Sequence, residues 1–216
     1  MQDKKARVFI AIPFPGDQRP LISSWMEKAK KKIPFKRWVH QDDLHITLQF
    51  LGDTPAELLP SVRKKLHLLV QENPPFSLLL TGLGFFGKKE APRVLWGAVD
   101  GVDGAFKQLL TLRQKVVQLM GEIGFQPEER PYRPHLTLAR HYMEGEAPFP
   151  PLHELERGKR GIPPFPASKE VPLPFLVNEI VLYKTHFGQT PMYEVLDRFP
   201  LRGPASPHQY FNAKPS

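Results

Sequence analysis

The sequence predicts an α+β fold built on antiparallel sheets, with a weak internal symmetry between its two halves. Two observations predict it. Strand-like and helix-like segments mix irregularly, with several hairpin-like neighbours and no regular β-α-β succession, which argues against a doubly wound parallel sheet. The order strand, helix, strand also recurs once in each half, and each time the second strand carries His, an aliphatic residue, Thr and Leu. The chain has 216 residues, 41% hydrophobic and 24% charged, which is ordinary for a globular protein. Residues 1–200 are read as one bilobal domain and 201–216 as an irregular tail.

Residues 7–12 (RVFIAI) form a short β-branched and aromatic run stopped by Pro13 and read as a buried strand. Residues 19–33 read as a helix, because Leu21, Ile22, Trp25, Met26 and Ala29 fall at helical spacing. Phe35–Val39 is a short strand candidate, and 44–51 (LHITLQFL) alternates up to Gly52-Asp53. Thr54, Pro55 and Glu57 then form a helix start, with a capping threonine and proline at the first helical position. That helix should reach about Gln71. Phe76–Leu83 and Arg93–Val99 are strands across a glycine-rich loop at 84–92. Asp103–Gly121 is a helix with Phe106, Leu109, Leu110, Val116, Val117 and Met120 on its apolar face. A strand opens at Pro134–Leu138. Residues 148–174 hold eight prolines and read as a long irregular segment. Asn178–Lys184 and Met192–Phe199 form a closing hairpin.

Composition narrows the chemistry. Cysteine is absent, which excludes disulfides, thiolate catalysis, iron–sulfur clusters and cysteine-based zinc sites. No run approaches the ~18 apolar residues of a membrane span, and 8–12 is too short for a signal-peptide core. A cytoplasmic monomer without membrane association is expected. Lys and Arg number 30 against 22 Asp and Glu, a net charge of +8. A surface so charged favours polyanions such as RNA.

The chemistry lies in His45-Ile46-Thr47-Leu48 and His135-Leu136-Thr137-Leu138, ninety positions apart. With eight histidines and seven threonines in the chain, chance expects about 0.26 His-x-Thr triplets. In a strand, residues i and i+2 share a face, so each His and Thr point together into the cleft while the aliphatic residues enter a core. Two imidazoles facing one another can act as general acid and general base in one step. The two threonine hydroxyls are placed to donate to phosphate oxygens. Spacing alone leaves open which histidine is acid and which is base. No Asp or Glu shares these strand faces to complete a hydrolytic zinc set, so neither a metal nor another cofactor is expected.

Together with RVFIAI, LHITLQFLGD, RVLWGAV, RPYRPHLTLAR and NEIVLYKTHF, the two motifs resemble the two-histidine (2H) phosphoesterase superfamily. Within it they resemble the bacterial RNA 2′,3′-cyclic phosphodiesterases, also described as 2′-5′ RNA ligases, over residues 7–199. The resemblance implies a two-lobed α+β fold, pseudo-twofold antiparallel sheets with outer helices and both motif strands lining a central cleft. It implies metal-independent hydrolysis of a 2′,3′-cyclic phosphate RNA end to a 2′-phosphate, with 2′-5′ ligation as a reversible side activity. It implies that His45 is the proton donor to the leaving 3′ oxygen and His135 the proton acceptor from water. Thr47 and Thr137 would hold the non-bridging oxygens. Two other readings are a 2H enzyme acting on small cyclic or 2′-5′-linked nucleotides, and a non-catalytic basic RNA-binding module.

Around the motifs, Arg140 is expected to share the polar face of His135 and Thr137 and to meet a phosphate through its rigid fork. Arg133 is expected on the same face across Pro134, and Arg93 is a candidate ribose or phosphate contact. Phe9 is a candidate to stack on a base, the usual way a single-stranded end is held without sequence readout, or else a core residue. Trp96 is read as core. The other six histidines lack a threonine two residues on and are read as surface or loop residues. The lysines of 28–36 read as a solvated helix end, with an RNA track as the lesser reading.

Overall fold

The computed structural model describes residues 5–143 and 148–204. Its strands are β1 (Lys5–Pro13), β2 (Phe35–Trp38), β3 (His45–Pro55), β4 (Phe76–Gly87), β5 (Pro92–Asp100), β6 (His135–Tyr142), β7 (Leu173–Val177), β8 (Glu179–Thr185) and β9 (Tyr193–Pro200). Its helices are α1 (Arg19–Ala29), α2 (Leu59–Gln71), α3 (Ala105–Gly121) and the short α4 (Leu152–Glu156). The strands make two antiparallel sheets, ordered β3-β1-β8-β9 and β2-β6-β5-β4-β7. The order β3-β1-β8 is matched by β6-β5-β4, so each motif strand lies beside the strand that precedes the helix of its half, β1 before α1 and β5 before α3. This is the α+β architecture that the sequence predicts.

Each helix buries one stripe. α1 buries Ile22, Trp25, Met26 and Ala29; α2 buries Val62, Leu66, Leu69 and Val70. α3 buries Ala105, Leu109, Leu112, Val116 and Met120, and packs against β3 and β4, one strand from each sheet. Leu112 takes the inward place expected of Leu110, which is 39% exposed. In the motif strands Ile46, Leu48, Leu136 and Leu138 all enter this core. Burial of such side chains contributes roughly 1.5–3 kcal/mol each, which anchors the backbone under the two histidines.

Several expected boundaries move. β3 runs on to Pro55, and Thr54 bonds its hydroxyl to the Gly52 carbonyl at 3.2 Å instead of capping a helix. α2 begins only at Leu59, after a single 3-10 turn at Ala56–Leu58, with Pro60 in its first turn. The glycine-rich stretch from Gly84 continues β4 to Gly87. The reason is packing: a Cβ on Gly84 would lie 2.2 Å from the Trp96 ring, so glycine lets the indole lie flat across the strand. Trp96 is accordingly half-buried, not core.

The proline-rich segment is anchored through Phe149, Leu155, Ile162, Phe165 and Ala167, all buried. Its last residues form the edge strand β7. Glu156 accepts a hydrogen bond from the Leu83 amide at 2.8 Å, tying it to β4. Residues 205–216 of the expected irregular tail lie outside the described residues.

Candidate active site

Both motif strands break their alternation at the same place. In the β1–β3 pairing Ala11 faces Thr47 and Ile10 faces Gln49, so Leu48 is skipped. In the β5–β6 pairing Trp96 faces Thr137 and Leu95 faces Ala139, so Leu138 is skipped. A bulge of this kind inserts one residue and re-aims everything after it. Arg140 lies five positions from His135, so unbroken alternation would send it to the opposite face. The expectation that it shares the face of His135 is met, but only because the bulge shifts the parity. The same device turns Phe50 into the cleft, where it is 48% exposed.

The two histidines are held alike. His45 donates from Nδ1 to the Asp43 carbonyl at 2.6 Å, and His135 from Nδ1 to the Arg133 carbonyl at 2.7 Å. A carbonyl can only accept, so Nδ1 carries the proton and Nε2 is left as the working nitrogen in each ring. His45 Nε2 lies 3.1 Å from Thr47 Oγ1. Arg140 reaches Thr137 Oγ1 at 3.5 Å, the long limit of a hydrogen bond.

Aromatic rings seat each imidazole. His45 packs against Phe9 at 4.9 Å, Tyr193 at 5.2 Å and Tyr183 at 5.9 Å. His135 meets Phe86 edge-on at 4.9 Å and Trp96 at 6.0 Å. Phe9 is 1% exposed, with Tyr183 stacked on it at 5.2 Å and Tyr193 edge-on at 4.8 Å. The candidate role of Phe9 as a base platform is thereby corrected, since both faces are covered. It is the floor beneath His45.

This burial acts on the titration of both rings. Desolvation lowers the His45 pKa to about 4, helped by the positive charge of Arg140 and by His135, and against its bond to Asp43. Desolvation lowers His135 as well, with Arg140 again adding to the effect and the Arg133 carbonyl opposing it. Both imidazoles are therefore neutral at pH 7. Arg140 thus acts on both rings, and His135 acts on His45.

A cavity of about 540 Å³ opens beside them. Thr47 and Phe50 line it from the first sheet, and Phe86, Arg93, His135 and Arg140 from the second. Arg130 and Arg133, from the loop before β6, complete the wall. His45 sits just behind Thr47, and Thr137 is nearly buried beneath Arg140. Tyr132, from the same loop, donates to the Thr47 carbonyl at 3.1 Å, with the Arg113 guanidinium 4.9 Å from its ring. The loop thus spans from one motif strand to the other.

Sequence reasoning missed Phe50, Asp43 and Arg37. Arg37 pairs directly with Arg140 across β2 and β6. The Asp43 carboxylate is buried and accepts from the Met192 and Tyr193 amides at 2.8 and 3.0 Å. It clamps the β8–β9 hairpin, and so Tyr193, onto His45. Its signal in sequence is only an acid two residues before the motif. Asp43→Ala should strand two amides at a cost of about 1–3 kcal/mol and lower turnover, with Asp43→Asn milder because it keeps one acceptor oxygen. Urea unfolding read beside kcat checks this; an unchanged midpoint would contradict the clamp.

Among the described residues, no group of three or more His, Asp or Glu side chains is placed to hold a metal ion, and no helix is long and apolar enough to cross a membrane.

A family model described as the 2′-5′ RNA ligase superfamily matches residues 18–189. The chain belongs to that superfamily, the two-histidine phosphoesterases. A Geobacillus stearothermophilus relative named RNA 2′,3′-cyclic phosphodiesterase is 38% identical over 93% of this superfamily member, which spans 59% of that relative's length. A Bacillus subtilis relative of the same name is 32% identical over 93% of this chain and 100% of its own. The crystal structure of E. coli LigT complexed with 3′-AMP is 28% identical, with a TM-score of 0.65 over 92% of this chain and 99% of LigT.

Proposed function

We propose that this protein hydrolyses 2′,3′-cyclic phosphate ends of RNA to 2′-phosphates by general acid–base catalysis between His45 and His135. The observation that supports it most is the matched tethering of both rings through Nδ1 to their own i−2 carbonyls. Tethering at Nδ1 leaves each Nε2 free for proton transfer, and Arg140 acts electrostatically on both rings, a set suited to in-line displacement at phosphorus. The names of the relatives supply the substrate class.

In this reading the phosphate lies between the rings with Arg140 on its non-bridging oxygens. His135 Nε2 takes a proton from water as the water oxygen bonds to phosphorus. The phosphorus–O3′ bond breaks, and His45 Nε2–H gives its proton to O3′, leaving the phosphate on O2′. The assignment of His45 as acid follows the family resemblance. Neutral His45 must first gain a proton, and the anionic phosphate beside it favours that. When Nε2 becomes a donor, the Thr47 hydroxyl no longer serves it and turns to a phosphate oxygen, while Thr137 supports Arg140. Phe50 offers the exposed ring face for the terminal base that Phe9 lacks.

A 5′-hydroxyl in place of water would leave a 2′-5′ linkage, which makes ligation a side reaction of the same groups. Small cyclic nucleotides as the main substrate, or RNA binding without chemistry, would make the assay below fail in different ways.

The test is turnover of a short RNA ending in 2′,3′-cyclic phosphate in excess EDTA, with the product identified. EDTA-resistant formation of 2′-phosphate is expected. A 3′-phosphate product, or RNA bound with no turnover, would overturn the reading.

A further inference from the structure

Charge in the cavity exceeds what the reacting phosphate can use. Four arginines line it, Arg93, Arg130, Arg133 and Arg140, against one carboxylate, Glu128. The arginines that pair with carboxylates among the described residues are Arg19, Arg63, Arg160 and Arg198, all elsewhere. A cyclic phosphate diester carries one negative charge, and Arg140 suffices for it. Arg93, Arg130 and Arg133 are exposed, whereas His135 and Arg140 are half-buried. Holding like charges together without counter-charges costs free energy, so this wall is built for further anions. In an RNA, these are the phosphodiesters 5′ to the terminal nucleotide.

Resting on the reading above, we infer that Arg93, Arg130 and Arg133 form a second anion subsite for the one or two phosphates upstream of the cyclic end. The guanidinium fork suits the two non-bridging oxygens of a diester. None of these side chains needs to read a base, so the subsite would select for chain length and not for sequence. A cyclic mononucleotide would fill only the inner half of the cleft, leaving this wall unsatisfied.

The experiment compares adenosine 2′,3′-cyclic phosphate with a trinucleotide ending in the same group. For each, kcat/KM is followed from 50 to 300 mM salt in the wild type, Arg130→Gln and the double variant Arg93→Gln/Arg130→Gln. Single-stranded contacts contribute a log–log salt slope of about −0.7 per phosphate. The trinucleotide should therefore show a slope steeper by about 1.4 than the mononucleotide, and the double substitution, which leaves only Arg133 of the three, should remove about 0.7 of that difference. The preference for the trinucleotide should shrink with it. Equal slopes for the two substrates would overturn the subsite while leaving the reaction standing. So would loss of the preference in Lys31→Gln/Lys32→Gln but not in the arginine variants, because the chain would then run over the lysines of the turn that follows α1. Turnover of neither substrate by wild type would overturn the functional reading itself.

Discussion

His45→Ala and His135→Ala should each lower kcat/KM on a cyclic-phosphate RNA end by about 10²–10⁴-fold, the range that a positioned general acid or base contributes. The double variant should lose less than the product of the two single losses, because both rings act in the same step. Binding should survive better than turnover, since Arg140 and the outer arginines remain. His45→Ala opens a hole over Phe9 and beside Tyr193, so His45→Asn, which retains more of the volume, should be assayed beside it. Loss of less than tenfold in both single variants would contradict acid–base roles for the pair.

Arg140→Ala should cost about 10²–10³ in kcat, the usual loss when a donor to developing charge is removed. Arg140→Lys should recover only part of it, since a point charge lacks the fork. This variant has a second readout. Arg140 lowers the pKa of both histidines, so removing it raises both, and the whole pH–rate profile should move to higher pH. A fall in rate with an unmoved profile would place Arg140 away from the two rings.

Much of this site was legible because strand alternation is a strict geometric rule. It placed His45 with Thr47 and His135 with Thr137, and sent Ile46, Leu48, Leu136 and Leu138 into the core. The rule failed at the last residue of each motif, where the bulges at Leu48 and Leu138 reverse parity. Nothing in a single sequence marks a bulge made of ordinary aliphatic residues, so strand alternation hides Phe50 and by itself would put Arg140 on the face opposite His135.

Phe9 shows a different limit. Its strand is predicted correctly, and it faces the cleft side of the sheet. Yet β9, some 180 residues later, brings Tyr193 over it, and local pattern carries no information about such long-range cover. Asp43 was invisible for the same reason, since its partners are Met192 and Tyr193. The helix expected from Thr54 failed through competition, because pairing with β1 as far as Lys5 outweighed a good capping sequence.

The central claim is that two imidazoles divide one proton transfer between them, and the pH dependence of kcat/KM in wild type and in the two single alanine variants tests it most directly. The wild type should give a bell, because one ring must be protonated and the other neutral, with both limbs below the ordinary histidine value of about 6.5 in the free enzyme. His45→Ala should lose the alkaline limb, so that residual activity rises with pH to a plateau as His135 deprotonates. His135→Ala should lose the acidic limb and fall with rising pH as His45 gives up its proton. Identical profiles in the two variants, or a full bell in either, would contradict the division of roles.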